Sequence, residues 1–341
     1  MREYLLQLAN GESFSENQMK EAMGYILGEE VSESEIAAFL MGLKSKGETV
    51  EEIAGIVKAM KASTLNFSKR IPNVLDNCGT GGDGSSSFNV STTSAFVIAS
   101  TGIPVAKHGN RSISSKTGSA DVLEFLGVNL NLSAERTEEI LQEIGIAFLF
   151  APHVHPKLKT VMSVRKQLKI PTIFNFIGPL TNPVDLDFQL LGVYRRDLLN
   201  VFAEVLDKLG RKRAIVINGA GFMDEASLQG ENHLAILDGG KISNHTFSPE
   251  EIGLPKYDNK DIKGGDSKIN AEILIKVLQG EKGAYRDTVL LNAAIGIFTA
   301  NKVNSIREGI ITAKEMIDSG AAYEKLKLLV ENTRKGQREV I

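Results

Sequence analysis

The spacing of apolar positions along this chain changes near residue 70. Before that point apolar residues recur at helix spacing, as in residues 36–41 and 53–57. Ser32 followed by Glu35 predicts a capping box at the start of one of these helices. Short apolar runs of strand length follow, and they predict strands near residues 74–77, 146–150, 190–194 and 214–217. Between and after them, helical patterns predict helices over residues 91–100, 119–126, 134–143, 197–209, 270–278 and 288–334.

Strands that alternate with helices are typical of a mainly parallel sheet with helices on both faces. We therefore predict an α/β fold, in which residues 1–68 form a small all-helical domain and residues 69–341 a large α/β domain. The excursion around residues 156–183 interrupts the alternation, and we expect it to pack on the N-terminal helices. Residues 238–265 are rich in Gly, Lys, Asp and Asn, which predicts loops and short hairpins.

Composition narrows the class of protein. A hydrophobic fraction of 42% and a charged fraction of 24% are typical of a globular protein, and a net charge of −3 gives no reason to expect a nucleic acid partner. Neither a signal peptide nor a run long enough to cross a membrane is evident. The single cysteine, Cys78, excludes an intrachain disulfide and suits a reducing compartment, so a cytoplasmic location is expected.

Three signals for anion binding lie close together between residues 76 and 126. They are the glycine-rich turn GTGGDG (79–84), the segment NVST (89–92) that opens an apolar helix, and the cationic loop KHGNRS (107–112), which continues to SSKTGS (114–119). Glycine amides, a helix N-terminus and the side chains of Lys107 and Arg111 all suit phosphate oxygens. The Walker and dinucleotide fingerprints are both absent. The pattern predicts a pocket for a heavily phosphorylated small molecule.

Adjacent carboxylates, Asp224 and Glu225, follow the predicted strand at 214–217. Magnesium prefers such hard oxygen ligands and shares its coordination shell with substrate phosphates. A solvated surface pair is the alternative, but a phosphate pocket at the same sheet edge favours magnesium.

Two histidines, His153 and His155, flank Val154. A zinc site would need further ligands at suitable spacing, and none is evident nearby. We expect His155 to line a pocket wall instead. Arg165 lies among apolar positions of the following helix, where its guanidinium either faces a substrate carboxylate or remains on the surface.

Five segments taken together closely resemble the anthranilate phosphoribosyltransferase family. They are GTGGDGSSSFNVST (79–92), KHGNRSISSKTGSADVLEFLGV (107–128), FAPHVHP (150–156), IFNFIGPLTNP (173–183) and GFMDEAS (221–227). The resemblance covers most of the chain. It implies a nucleoside phosphorylase/phosphoribosyltransferase-like fold, a homodimer, an active site between the two domains and two Mg²⁺ ions per subunit. It also implies transfer of the phosphoribosyl group of phosphoribosyl pyrophosphate (PRPP) to anthranilate in tryptophan biosynthesis, with an optional association with anthranilate synthase.

The resemblance also implies roles for individual residues. The PRPP contacts would be Gly79, Gly82, Asp83, Ser87, Asn89, Ser91, Thr92, Lys107 and Ser119. The magnesium ligands would be Ser91, Asp224 and Glu225. The anthranilate contacts would be Gly79, His108, Asn110, Pro152, His155, Arg165 and Gly178. Lys159 stands where relatives often have arginine; it keeps the charge but not the bidentate fork, so its role is left open.

The aryl amine of anthranilate carries its own lone pair, so we predict no covalent nucleophile, Cys78 included. Three alternatives differ in what they turn over. They are a pyrimidine nucleoside phosphorylase, a phosphoribosyltransferase-like protein with another aromatic acceptor, and a regulatory protein that binds a nucleotide without turnover.

Overall fold

Four helices open the chain in the computed structural model, which describes residues 1–28, 30–112 and 116–335. They are α1 (Arg2–Ala9), α2 (Glu16–Leu27), α3 (Glu33–Lys46) and α4 (Val50–Lys61). Capping boxes begin α2, α3 and α4: the side chain of a Ser or Thr at the N-cap accepts from the backbone N–H three residues on, and the N-cap N–H donates to the side chain of that residue. The box predicted from Ser32 and Glu35 is confirmed. Local sequence thus fixes where these helices begin.

A sheet of seven strands follows, in the order β3-β2-β1-β4-β5-β6-β7. The strands are β1 (Leu75–Gly79), β2 (Val105–Gly109), β3 (Ile146–Phe150), β4 (Phe188–Gly192), β5 (Arg213–Asn218), β6 (Asn232–Asp238) and β7 (Lys241–Phe247). Strands β1 to β5 pair in parallel, whereas β6 and β7 pair antiparallel at one edge. The predicted α/β fold with a mainly parallel sheet is confirmed.

Helices cover both faces of this sheet. The helices after the N-terminal group are α5 (Val90–Ser100), α6 (Ser119–Phe125), α7 (Ala134–Ile144), α8 (Ala151–Val154), α9 (Lys159–Leu168), α10 (Leu199–Lys208), α11 (Ser267–Leu278), α12 (Ala284–Thr299), α13 (Ile306–Asp318) and α14 (Ala321–Arg334). Successive strand residues face opposite ways. Accordingly Leu191 and Val216 pack with Phe202 of α10, while Leu190 and Ile215 pack on the other face with residues of α12. Within the described ranges no helix is both long and apolar enough to traverse a bilayer.

The excursion between β3 and β4 lies against the N-terminal helices. Helix α9 packs on α3, where Ser163 and Gln167 donate to the Glu33 carboxylate at 3.0 and 2.9 Å. The 3₁₀ turn Gly178–Thr181 packs on α4. A boundary at residue 68, with residues 156–183 joined to the smaller domain, stays a prediction.

Two parts of the sequence-based prediction were wrong in detail. The cationic loop predicted to begin at Lys107 starts later, because residues 107–109 complete β2. Polar side chains hid this strand, since a central parallel strand usually shows an apolar run. The hairpin expected after residue 238 already begins with β6 at Asn232, and only its second strand, β7, lies in the predicted range.

Candidate active site

The carboxyl ends of the five parallel strands meet at one edge of the sheet. Strands β1 and β4 are neighbours there, with Gly79 in register with Gly192. The chain continues from β1 to β2 on one side and from β4 to β5 on the other, so the strand order reverses between β1 and β4. Ligands of open α/β sheets bind at such a switch point, outside the strand ends. The glycine-rich turn that follows Gly79 therefore lies at the position where this fold accepts a ligand.

A turn after β5 crosses this switch point in close contact with glycine backbone. A Cβ atom at Gly79 would lie 2.7 Å from the Asp224 carbonyl oxygen, and one at Gly192 would overlap that oxygen. At Gly219 a Cβ would overlap the Glu225 carbonyl oxygen. The amide of Gly81 donates to Asp224 Oδ2 at 2.6 Å. Glycine at the strand ends is thus what lets the two carboxylates lie directly over the sheet.

Asp83, Asp224 and Glu225 bring three carboxylates together. Burial raises the pKa of Asp224 well above its usual range, and the charges of Asp83 and Glu225 raise it further. Burial likewise raises the pKa of Glu225 to about 7, against the opposing effects of Lys107 and Ser91. Oδ2 of Asp83 is buried and has no hydrogen-bond partner. Three acids that lie this close together favour a positively charged partner.

Magnesium fits this donor set. In the part of the chain that the structure describes, no three His, Cys, Asp or Glu side chains are arranged as a complete metal site. Magnesium does not need one, because it takes one or two carboxylates and fills its shell with water and substrate phosphates. Asp224, Glu225 and the Ser91 hydroxyl offer hard oxygens, and the Ser91 amide bonds Glu225 Oε1 at 3.2 Å.

The glycine loop leads directly from β1 into α5. Gly81, Gly82 and Gly84 have φ values of +69°, +79° and +73°, a conformation that side chains disfavour. Asn89 is the N-cap of α5 but makes no capping bond with its side chain. The other predicted contacts in this segment are Asp83, Ser87, Ser91 and Thr92. The glycine loop and a helix N-terminus therefore lie at the same sheet edge, an arrangement that suits an anion.

Lys107 is 3% exposed in β2, and its Nζ donates to the Asn77 carbonyl oxygen at 2.6 Å. A buried ammonium beside the carboxylates is a fixed positive charge. Arg111 differs, because it is half exposed and forms ion pairs with Asp121 and Glu124. Of the two cations in the segment KHGNRS, only Lys107 lies inside the site.

The second loop of the predicted arc folds back on β2. Ser119 Oγ donates to the Asn110 carbonyl oxygen at 3.3 Å, at the start of α6. A Cβ at Gly109 would overlap Ser119 Oγ, so glycine again permits the approach. Ser114 and Ser115, which belong to the predicted arc, lie outside the described residues.

A second group of side chains surrounds two imidazoles. The rings of His108 and His155 are 5.4 Å apart, and His108 Nδ1 lies 3.2 Å from the Gly178 carbonyl oxygen. Burial lowers the pKa of His108 to about 3 and that of His155 to about 4, so both are neutral. The Nε2 atoms of both rings are buried without a partner. Pro152 lies one turn before His155, exposed on α8.

Arg165 extends this second group toward the 3₁₀ turn at residues 173–175. Its guanidinium donates to Asn175 Oδ1 at 3.2 Å and lies 5.6 Å from the centre of the Phe174 ring. Burial lowers its pKa, and no carboxylate pairs with it among the described residues. A cation held over an apolar surface without a counter-ion suits an anionic ligand. Lys159, at the start of α9, is exposed.

The sequence analysis missed a buried polar contact that lies beside the second group. Asp76 in β1 accepts the His108 amide at 3.2 Å and Asn182 Nδ2 at 3.0 Å, and it is fully buried. The signal was an acidic residue directly after the apolar pair at 74–75, three positions before the glycine turn. Cys78 donates its thiol to the same carboxylate, and burial raises the pKa of Cys78 well above its usual range, which keeps it from acting as a thiolate nucleophile.

Comparison with protein families gives two matches. Residues 71–323 match the family described as "Glycosyl transferase family, a/b domain", and residues 2–64 match "Glycosyl transferase family, helical bundle domain". Among curated proteins, the chain is 54% identical over 330 residues to an anthranilate phosphoribosyltransferase of Bacillus cereus (strain B4264), covering 97% of both chains.

Solved structures to which the chain is similar are also anthranilate phosphoribosyltransferases. The chain is similar to anthranilate phosphoribosyltransferase from Thermus thermophilus, with a TM-score of 0.92 and 40% identity over 97% of this chain and 99% of that one. It is also similar to the Saccharomyces cerevisiae enzyme in complex with PRPP and Mg, with a TM-score of 0.90 and 27% identity over 97% of each chain. Another structure of the yeast enzyme contains 4-fluoroanthranilate.

Proposed function

This chain belongs to the anthranilate phosphoribosyltransferase family, and from that membership and the site geometry we propose its reaction. It transfers the phosphoribosyl group of PRPP to the amine of anthranilate, which gives N-(5-phosphoribosyl)anthranilate and pyrophosphate. The product is an intermediate of tryptophan biosynthesis. The observation that carries the proposal is the meeting of the glycine loop, the α5 N-terminus and the Asp224–Glu225 turn at one switch point.

The donor half of the site is assigned to PRPP. We propose that the contacts are made by the following residues: Gly79, Gly82, Asp83, Ser87, Asn89, Ser91, Thr92, Lys107 and Ser119. Displacing pyrophosphate from the anomeric carbon leaves negative charge on the departing oxygens. Loop amides, the helix N-terminus and the Lys107 ammonium are fixed before the reaction, and each well-aimed donor stabilises that charge by about 3–4 kcal/mol. Two Mg²⁺ ions per subunit, held by Ser91, Asp224 and Glu225, would neutralise the negative charge of the diphosphate.

The acceptor half is assigned to anthranilate. The proposed contacts are Gly79, His108, Asn110, Pro152, His155, Arg165 and Gly178. The Arg165 guanidinium, which has no acidic partner in the described ranges, would bind the anthranilate carboxylate. The neutral rings of His108 and His155 form a wall of low charge against the aromatic ring. Because the amine brings its own lone pair, positioning rather than covalent catalysis accounts for the reaction on this side.

Assembly and location belong to the same proposal. We propose a homodimer in the cytoplasm, where a chain with one cysteine meets a reducing environment. Sedimentation velocity across a range of protein concentrations tests the dimer, and a monomer at all of them would contradict it. Adding an anthranilate synthase to the same experiment tests whether the two associate.

The reaction is tested by mixing the protein with PRPP, Mg²⁺ and anthranilate and following the loss of anthranilate fluorescence. We expect turnover that requires all three components. Loss of pyrimidine nucleoside with phosphate instead would indicate a nucleoside phosphorylase. Turnover with another aromatic acceptor alone would indicate a different phosphoribosyltransferase, and binding of PRPP without turnover a regulatory protein.

A further inference from the structure

A short segment after β7 closes over the predicted phosphate loops. We call residues 262–266 the strap. The Phe88 amide donates to the Ile262 carbonyl oxygen at 3.0 Å, and the strap's Gly264 amide donates to the Ser86 carbonyl oxygen at 2.9 Å. Gly264 lies so close to the loop that a Cβ there would be 2.9 Å from Phe88 Cα. The strap thus pairs with the end of the glycine loop along its backbone.

The strap also reaches the second loop of the site. Thr117 Oγ1 donates to the Gly265 carbonyl oxygen at 2.9 Å, just before α6 begins at Ser119. The two loops assigned to PRPP are therefore tied to one strap. Residues 262–270 carried no functional signal in the sequence.

Asn270, in the first turns of α11, connects the strap to the N-cap of α5. It is 2% exposed. Its Oδ1 accepts the Gly265 amide at 2.7 Å, and its Nδ2 donates to Asn89 Oδ1 at 2.8 Å. Together these bonds form a relay from Gly265 through Asn270 to Asn89. Their sequence separations are 5 and 181 residues, so the relay exists only in the folded chain.

The relay has a fixed direction. A backbone N–H can only donate, so the Gly265 amide determines which end of the Asn270 side chain is the oxygen. The Asn270 nitrogen then faces Asn89 and determines that the Asn89 oxygen points back toward it. An N-cap asparagine ordinarily uses its oxygen to accept from its own helix, but here that oxygen is engaged by Asn270 and no capping bond forms. The Asn89 amide nitrogen is left as a donor.

We propose that Asn270 is a positioning residue for the sugar-phosphate donor, because it orients the Asn89 amide so that N–H groups, and not the oxygen, face the substrate. This inference rests on the proposed PRPP site. Ionised phosphate oxygens only accept hydrogen bonds, so they need donors, and a reversed amide would present a repelling oxygen to them. Asn270 does not touch the substrate in this scheme; it acts through Asn89.

Asn270→Asp tests the relay with little change in shape. An ionised carboxylate still accepts from Gly265 but has no N–H for Asn89, so the Asn89 amide turns to donate to it and presents its oxygen to PRPP. We expect the KM for PRPP and its Kd by calorimetry to rise about 10-fold, the effect of one reversed hydrogen bond, with the KM for anthranilate within about twofold. Asn270→Ala leaves the Asn89 amide free to adopt either orientation. It should therefore raise the KM and the Kd for PRPP less than Asn270→Asp does.

A double-mutant cycle separates a relay from general damage. Asn89→Ala alone should weaken PRPP binding, and adding Asn270→Asp to it should change the Kd no further. Asn332→Asp in α14, another buried asparagine at 4% exposure, is the matched control, and it should leave PRPP binding unchanged. Additive effects of Asn89→Ala and Asn270→Asp would overturn the relay, as would an Asn270→Asp variant that binds PRPP normally.

The same measurements distinguish failure of the relay from failure of the proposed function. If wild-type protein binds PRPP but does not consume anthranilate, the function is wrong while the binding cycle still decides the relay. If wild-type protein does not bind PRPP at all, or if Asn89→Ala binds it as tightly as wild type, Asn89 does not face the donor and the relay is overturned as well.

Discussion

The two halves of the site are built from different materials. The donor half consists of main-chain amides, close glycine contacts and a group of buried charges at the β1–β4 switch point. The acceptor half consists of side chains: two neutral imidazoles, and a guanidinium contributed by α9 from the excursion. Backbone geometry is set by the sheet itself, whereas the acceptor side chains depend on a segment packed on the N-terminal helices. We infer that the donor half depends on backbone shape and charge, and that the acceptor half carries the specificity.

The sharpest way to break this comparison is to add one methyl group to the donor half. In Gly192→Ala the new Cβ overlaps the Asp224 carbonyl oxygen, so the turn with both carboxylates must move. We expect the free energy of unfolding to fall by about 3 kcal/mol. Activity should fall about 100-fold or more, because small misplacements at a reacting centre are costly. Fluorescence turnover and denaturant unfolding measure the two effects.

Gly24→Ala is the matched control for that substitution. Gly24 lies inside α2, where an added Cβ has no atom within 4 Å. The variant should keep full activity and gain up to about 1 kcal/mol of stability, because alanine favours helix. Full activity of Gly192→Ala would show that the close approach of the turn is unnecessary.

Charge in the donor half is tested by Asp224→Asn. Oδ1 of the new amide can still accept from Gly81, but one of the three acids that lie together is replaced by a neutral group. We expect activity at fixed Mg²⁺ to fall about 10- to 100-fold and the Mg²⁺ needed for half-maximal rate to increase. The thermal midpoint of the metal-free protein should rise. If the rate depends on the Mg²⁺ concentration as in wild type, Asp224 is not a magnesium ligand and has only a structural role.

Arg165→Ala tests the acceptor half. Losing a hydrogen-bonded charge pair with the anthranilate carboxylate should cost about 1.5–2 kcal/mol, so the KM for anthranilate should rise about 10- to 30-fold. The KM for PRPP should change little, because Arg165 contacts the turn at residues 173–175 and not the glycine loop. Arg165→Lys keeps the charge without the fork, so its KM for anthranilate should lie between those of wild type and Arg165→Ala. Lys159→Ala is the control, because it removes an exposed cation from the same helix. Equal changes in both KM values would contradict the division into halves.

The effect with the smallest consequence at neutral pH is on the pH dependence of stability. The folded pKa of His108 is about 3, below the value of about 6.5 for an unfolded histidine. Between these values the unfolded chain binds a proton that the folded chain does not, so stability is complete above pH 6.5 and decreases as the pH falls. His108→Asn should remove up to about 1.4 kcal/mol per pH unit from this slope. Denaturant unfolding at several pH values measures it, and an identical slope would show that His108 titrates normally.

Much of the donor half could be predicted from the sequence because it is local. A strand, a glycine turn and a helix N-terminus follow one another within residues 75–100, and each has its own composition. The adjacency of Asp224 and Glu225 after a strand is also local, and their role as magnesium ligands stays a prediction. The acceptor half was predicted mainly through resemblance to a family, since a buried histidine and a surface one look alike in a sequence.

What the sequence determined by itself is the alternation of strands and helices, the capping box of Ser32 and Glu35, and the residue types that suit a phosphate. Only the tertiary structure decided that Lys107 is buried in a strand, that Asp76 binds Asn182 from 106 residues away, and that Asn270 orients Asn89 across 181. The physical reason is that backbone conformation depends on near neighbours in the chain. The partner of a buried polar group depends instead on which strands and helices the sheet order brings together.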